Sequence, residues 1–152
     1  MNEALSTQEL LARLPQQEPF RFIDEITELD EEHIVANYRF RSDADFYRGH
    51  FPGNPITPGV ILTETMAQAG VVAFGIYLYA LETSLEEVNK MLTIFTDANV
   101  DFTGSVKPGD RVTTTGRVKF FRRKKLRATV EMKLDDGTVV CSGELSGMGV
   151  PR

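Results

Sequence analysis

From Pro58 to Leu81 the chain is apolar or small at almost every position, with Thr63, Glu64, Thr65 and Gln68 the main exceptions. Proline is tolerated at the first position of a helix and threonine is a good N-cap, so Thr57-Pro58 reads as the start of a helix ending near Leu81. A helix without a polar stripe has to be covered nearly all round, and this requirement constrains the fold more than anything else in the chain. A bilayer is one cover, but the most apolar stretch, Met66 to Leu81, is shorter than the roughly 20 residues needed to cross it and contains Gln68. The sequence therefore predicts no membrane span and a sheet as the cover.

The flanking segments supply that sheet. Phe20 to Ile26 and His33 to Phe40 read as two strands joined across Asp30-Glu31-Glu32. Arg41 to Thr57, rich in Asp, Gly and Pro, reads as irregular backbone. Beyond an acidic connector around Glu82 to Asn89, strands are expected over Met91 to Phe102, Arg111 to Phe121, the alternating Leu126-Ala128-Val130-Met132-Leu134 segment, and Thr138 to Leu145. Lys107-Pro108-Gly109-Asp110 and Asp135-Asp136-Gly137 mark turns. Ser6 or Thr7 caps a short helix that Pro15 ends. Two strands, one apolar helix and four antiparallel strands make an α+β chain, a curved sheet wrapped around a long central helix, and residues 1–152 fit one domain.

Composition narrows the function classes. A net charge of -5 and a pI near 5.1 leave no dominant positive surface for nucleic acid. Cys141 is the only cysteine, so no internal disulfide is available; it lies in an apolar alternation and reads as a buried thiol, favouring a cytoplasmic setting. Met1 to Gln17 lacks the basic start and apolar core of a secretory signal. Two histidines and one cysteine give no metal-ligand cluster, and no glycine-rich loop cradles a phosphate, so neither metal nor cofactor is expected.

Three residue types in one segment carry the chemistry. Gly59, as the second residue of a helix begun by Pro58, offers an N–H with no intrahelical partner at the positive end of the helix dipole; Thr57 is expected to occupy the N–H of Val60 and leave that of Gly59 for a carbonyl oxygen gaining charge. Glu64 lies about 7.5 Å further along the axis. Apolar surroundings there should hold its proton, and Gln68, one turn on, should orient it. His50 stands among Gly49, Pro52, Gly53 and Pro55, which restrict the loop, and its neutral imidazole is a proton acceptor. A base, a donor at a carbonyl and an acid are the groups needed to remove water from a 3-hydroxyacyl thioester. His33, which follows three acids, reads as structural.

The run Gly49-His50-Phe51-Pro52-Gly53-Asn54-Pro55-Ile56-Thr57-Pro58-Gly59-Val60, followed by Glu64-Thr65-Met66-Ala67-Gln68, resembles the signature of bacterial 3-hydroxyacyl-acyl-carrier-protein dehydratases of the hotdog fold. Leu14-Pro15, Pro19-Phe20, Ile23-Asp24 and Val106-Lys107-Pro108-Gly109-Asp110 extend the likeness over most of the chain. The resemblance implies that His50 is the base, Glu64 the acid and the Gly59 N–H the thioester carbonyl's donor. It also implies a homodimer in which the histidine of one subunit faces the glutamate of the other, an acyl tunnel along the interface and, in some members, a hexamer. The substrate it implies is a 3-hydroxyacyl chain on acyl carrier protein.

The chain departs from the family pattern at Gln16-Gln17-Glu18, where a histidine, a basic residue and a tyrosine are usual, and at Thr63, usually apolar. Neither departure touches the proton-transfer groups, and both ordinary fatty acid synthesis and a specialised acyl pathway stay open. Arg122, Arg123, Lys124 and Lys125 form a basic run in an acidic chain, suited either to an acidic carrier protein or to keeping a strand connection solvated. Two other readings are a hotdog thioesterase, in which Glu64 activates water and His50 has no necessary role, and a non-catalytic acyl-carrier-binding subunit.

Overall fold

A computed structural model describes residues 5–152, so residues 1–4 of the expected domain and of the N-terminal segment lie outside it. Six antiparallel strands form one sheet: β1 (Glu25–Leu29), β2 (His33–Arg39), β3 (Met91–Phe102), β4 (Arg111–Arg122), β5 (Lys125–Leu134) and β6 (Val139–Pro151), in the spatial order β1-β2-β4-β5-β6-β3. The central helix, Gly59–Glu82, packs on the face where β2, β4, β5 and β6 point Ile34, Val112, Val130 and Leu145. Its 24 residues are long enough to cross a bilayer, so length does not set it apart from a membrane span. Burial does: most of its apolar window is inside the fold.

The middle of that helix, Gln68–Ala73, is a π-helical stretch flanked by α-helical Gly59–Ala67 and Phe74–Glu82. All six of its residues are buried. Small side chains let it approach the sheet closely: a Cβ on Gly70 would come within 2.7 Å of Val130 Cγ1, and one on Gly116 of β4 within 3.0 Å of Gly70 Cα. Either addition would push helix and sheet apart in a close-packed core.

The short N-terminal helix, Thr7–Arg13, forms where expected, with Ser6 accepting from the Glu9 N–H. The two turns also form, Gly109 and Gly137 taking the positive φ values of 88° and 90° that suit glycine. Four expectations are corrected. Phe20 to Asp24 is not strand; β1 begins at Glu25, because the backbone of Phe20 and Phe22 bonds to the side chain of Gln68 instead of to a ladder. The acidic connector contains a helical turn, Leu85–Asn89, capped by Ser84 and anchored by buried Val88. The last strand runs past Leu145 to Pro151, paired throughout with β3. Finally, the central helix begins at Gly59 rather than Pro58.

Candidate active site

His50 follows a one-turn 3-10 helix, Asp45–Arg48, in the segment between β2 and the central helix. Its N–H donates to the Phe46 carbonyl at 3.0 Å and its carbonyl accepts from the Ile56 N–H at 2.9 Å, while Phe51 and Asn54 close the loop between them. The ring Nδ1 is 2.8 Å from the Ile56 carbonyl oxygen. A carbonyl only accepts, so Nδ1 carries the hydrogen and the neutral ring keeps its lone pair on Nε2. With Phe51 stacked on it at a centroid distance of 4.1 Å, the imidazole is a base of fixed tautomer.

At the helix mouth, Thr57 does not cap. Its hydroxyl is buried against the Tyr47 hydroxyl at 2.6 Å and its N–H donates to Val106, so the side chain is turned into the core. Pro58 occupies the cap position and makes no side-chain bond to the helix. Among the described residues, neither the Gly59 nor the Val60 N–H has a protein acceptor. Two donors, not the one expected, thus stand at the positive end of the helix. Gly59 lies under the Phe102 ring of β3, which a Cβ would approach to 3.2 Å.

Glu64 is half-buried, and burial pushes its carboxyl above the ordinary value of 4.5, partly offset by a hydrogen bond from Gln68. It lines a cleft of about 250 Å³ with Gln16, Ala67, Val71, Thr93 and Phe95 among its walls. Gln68 is fully buried and fully used. The Phe22 N–H donates to its Oε1 at 2.7 Å, and its Nε2 donates to the Phe20 carbonyl at 2.8 Å and to Glu64 Oε1 at 3.0 Å. Because a backbone N–H can only donate and a carbonyl can only accept, the amide orientation is settled, and Glu64 must accept through Oε1. Among the described residues, its other oxygen makes no hydrogen bond.

Thr63 is harmless to this arrangement, since its hydroxyl bonds back to the Gly59 carbonyl at 3.1 Å. Cys141 is fully buried against the sulfurs of Met66 and Met132, and burial pushes its thiol up to about 12, as an inert structural thiol requires. His33 is occupied by Asp30 and Glu28. The basic run is the β4–β5 hairpin turn: Arg123 and Lys124 take φ values of 51° and 64°, Arg122 lies over Phe120 and Lys124 over Tyr79. Gly59 and Glu64 share one helix, but His50 is not among the residues lining the Glu64 cleft. Gln16 and Phe102 enter the site without any spacing signal that could have found them.

A second cavity, of about 580 Å³, shares Val71 and Thr93 with the Glu64 cleft and continues between the helix and the β3–β6 end of the sheet, past Ile76, Tyr79, Met91 and Leu126. The chain matches the FabA-like domain family over residues 14–144. It is 33% identical over 144 residues to a 3-hydroxyacyl-[acyl-carrier-protein] dehydratase, FabZ, of Streptococcus pyogenes serotype M3, covering 93% of this chain and 96% of that one; the serotype M1 protein matches to the same extent. Among solved structures, the dehydratase heterocomplex ApeI:P from Xenorhabdus doucetiae superposes with a TM-score of 0.73 at 15% identity, over 94% of this chain and 91% of that one. A thioesterase from Haemophilus influenzae does so with a TM-score of 0.68 at 16% identity, over 99% and 94%. The curved sheet around a long helix is therefore the hotdog fold.

Proposed function

The chain belongs to the FabA-like family, and from that premise we propose that it dehydrates 3-hydroxyacyl-[acyl-carrier-protein] thioesters to trans-2-enoyl thioesters in fatty acid or related acyl-chain biosynthesis. His50 Nε2 removes the proton from the carbon beside the thioester carbonyl. The charge that grows on the carbonyl oxygen is met by the free N–H at the helix mouth, at Gly59. Glu64 gives its proton to the 3-hydroxyl, which leaves as water as the C2–C3 double bond forms. Turnover leaves His50 protonated and Glu64 ionised, so a net proton passes back from imidazole to carboxyl through solvent.

The observation that carries this reading is the half-buried carboxyl of Glu64, its pKa raised by burial, on the same helix as a mouth with unused donors. A thioesterase would have no need of the pinned His50 tautomer, and a binding subunit no need of a carboxyl oriented by a buried amide. The assay follows enoyl formation and free thiol together on a 3-hydroxyacyl-carrier substrate. Enoyl product without thiol release is expected; thiol release without enoyl product would establish the thioesterase instead.

The base reaches the acid through a homodimer. β3 is the edge strand beside β6, and it exposes Ile94, Phe95 and Phe102. Such an apolar edge is ordinarily covered. Phe95 and Ile94 border the Glu64 cleft and Phe102 lies on Gly59, so a partner seated on this edge covers the site as well, bringing its own His50 toward Glu64. Two shared sites per dimer follow. The acyl chain runs from the Glu64 cleft past Val71 and Thr93 into the larger cavity. The carrier protein docks near Arg122, Arg123, Lys124 and Lys125, where exposed positive charge speeds encounter with an acidic partner. Residues 1–152 form one domain that acts as a pair in the cytoplasm, where an unpaired buried Cys141 is at home.

A further inference from the structure

Gln16 is the one polar side chain besides Glu64 and Thr93 on the wall of the Glu64 cleft, whose remaining lining is Ala67, Val71, Val72, Ile94 and Phe95. Its Oε1 is buried and has no hydrogen-bond partner among the described residues. A buried polar atom left unpaired is uncommon and costs stability, so it calls for a partner that the chain alone does not supply. Glu64 is not that partner: its one side-chain bond, through Oε1, is to Gln68, and neither of its oxygens is bonded to Gln16.

The backbone holds Gln16 in place. Pro15, immediately before it, lines the larger cavity, and the Gln17 side chain donates to the Leu14 carbonyl at 2.8 Å. Phe20 and Phe22, just beyond, are clamped by Gln68, the residue that also orients Glu64. One buried side chain thus holds both the Glu64 carboxyl and the backbone just beyond Gln16.

We propose that Gln16 is a substrate-positioning residue whose side-chain amide hydrogen-bonds the 3-hydroxyl of the bound acyl chain and turns its oxygen toward Glu64. This inference rests on the dehydratase reading above. A hydroxyl suits the position whichever end of the amide faces it, because it both donates and accepts. The amide moves no proton. Its contribution is to select chains that carry oxygen at C3 and to hold that oxygen where the acid can reach it.

The test compares wild type with Gln16→Met and Gln16→Leu, which keep the bulk of the side chain and remove its polar end. Dehydration of a 3-hydroxyacyl carrier and binding of the corresponding saturated acyl carrier, which lacks the hydroxyl, are measured in parallel. Loss of one hydrogen bond to the substrate is expected to lower kcat/KM for dehydration about tenfold while saturated-chain binding stays within about twofold of wild type. Unchanged dehydration, or a parallel loss of both, overturns the proposal by making Gln16 inert or merely structural. Should wild type yield no enoyl product, the dehydratase reading fails first. The binding arm still decides about Gln16, because wild type that binds the 3-hydroxyacyl chain no better than the saturated one has no hydroxyl contact there.

Discussion

His50 is fixed by bonds that begin and end in its own loop, from Phe46 to Ile56, whereas Glu64 is fixed through Gln68 to the backbone of Phe20 and Phe22, far away in sequence. The loop base needs only its neighbours to set its tautomer. The helix acid needs the N-terminal segment to be folded over Gln68 before its orientation is set. A base held locally and an acid held over long range should therefore fail in different ways when their supports are cut.

The largest effects come from removing the groups themselves. His50→Ala and Glu64→Gln are each expected to lower kcat for dehydration by about 10²–10⁴-fold with melting temperature and dimer size retained, as read by enoyl absorbance, calorimetry and gel filtration. Mixing the two inactive variants after subunit exchange should restore activity, since a heterodimer holds one intact pair; verified exchange with no recovery would falsify the shared site.

Next comes Gln68→Met, which cuts the support of the acid alone. It orphans the Phe20 carbonyl and the Phe22 N–H, so urea denaturation should show a loss of about 3 kcal/mol. Activity should fall together with stability, while the His50 loop keeps its local bonds.

The pH dependence distinguishes the two groups again. Folding raises the Glu64 pKa, so the folded state holds the proton more tightly than the unfolded one. Below the ordinary value of 4.5 both states are protonated and there is no penalty; as pH rises from there through the folded value, wild type loses stability relative to Glu64→Gln. Denaturation curves of the two proteins at a series of pH values should diverge in that sense. The dehydration rate should fall along the same alkaline limb as Glu64 gives up its proton before substrate arrives.

Two smaller effects probe the site's rim. Gly59→Ala places a Cβ 3.2 Å from the Phe102 ring and beside the carbonyl donor, and kcat/KM should fall about tenfold, as read by enoyl formation. Arg122→Ala with Arg123→Ala should raise KM for the carrier substrate only a few-fold, with a weaker dependence on salt and no change for a short thioester lacking the carrier.

Some of this was readable from residue order alone. The central helix, the turns at Gly109 and Gly137 and the alternating strand β5 follow from periodicity and turn chemistry, which are local properties. His50, Gly59 and Glu64 stand out for the same reason: the roles proposed for them depend on a loop that bonds to itself and on positions along one helix. The i+4 spacing of Gln68 to Glu64 was legible as well. What spacing could not show was the other half of Gln68's work. The segment Phe20 to Asp24 has strand-forming residues, yet a distant side chain claims its backbone bonds and delays β1 to Glu25.

Likewise Thr57 is a good cap by residue type, but Tyr47 competes for its hydroxyl, and only the packing of the core decides that contest. The reach of β6 to Pro151 and the entry of Gln16 and Phe102 into the site are settled in the same way. Residue order determined most of the elements and singled out the candidate groups, since those follow from neighbouring positions. Tertiary structure decided which polar atoms are already satisfied and which remain free to act, because a hydrogen-bonding group takes the partner that folding brings nearest rather than the one beside it in the chain.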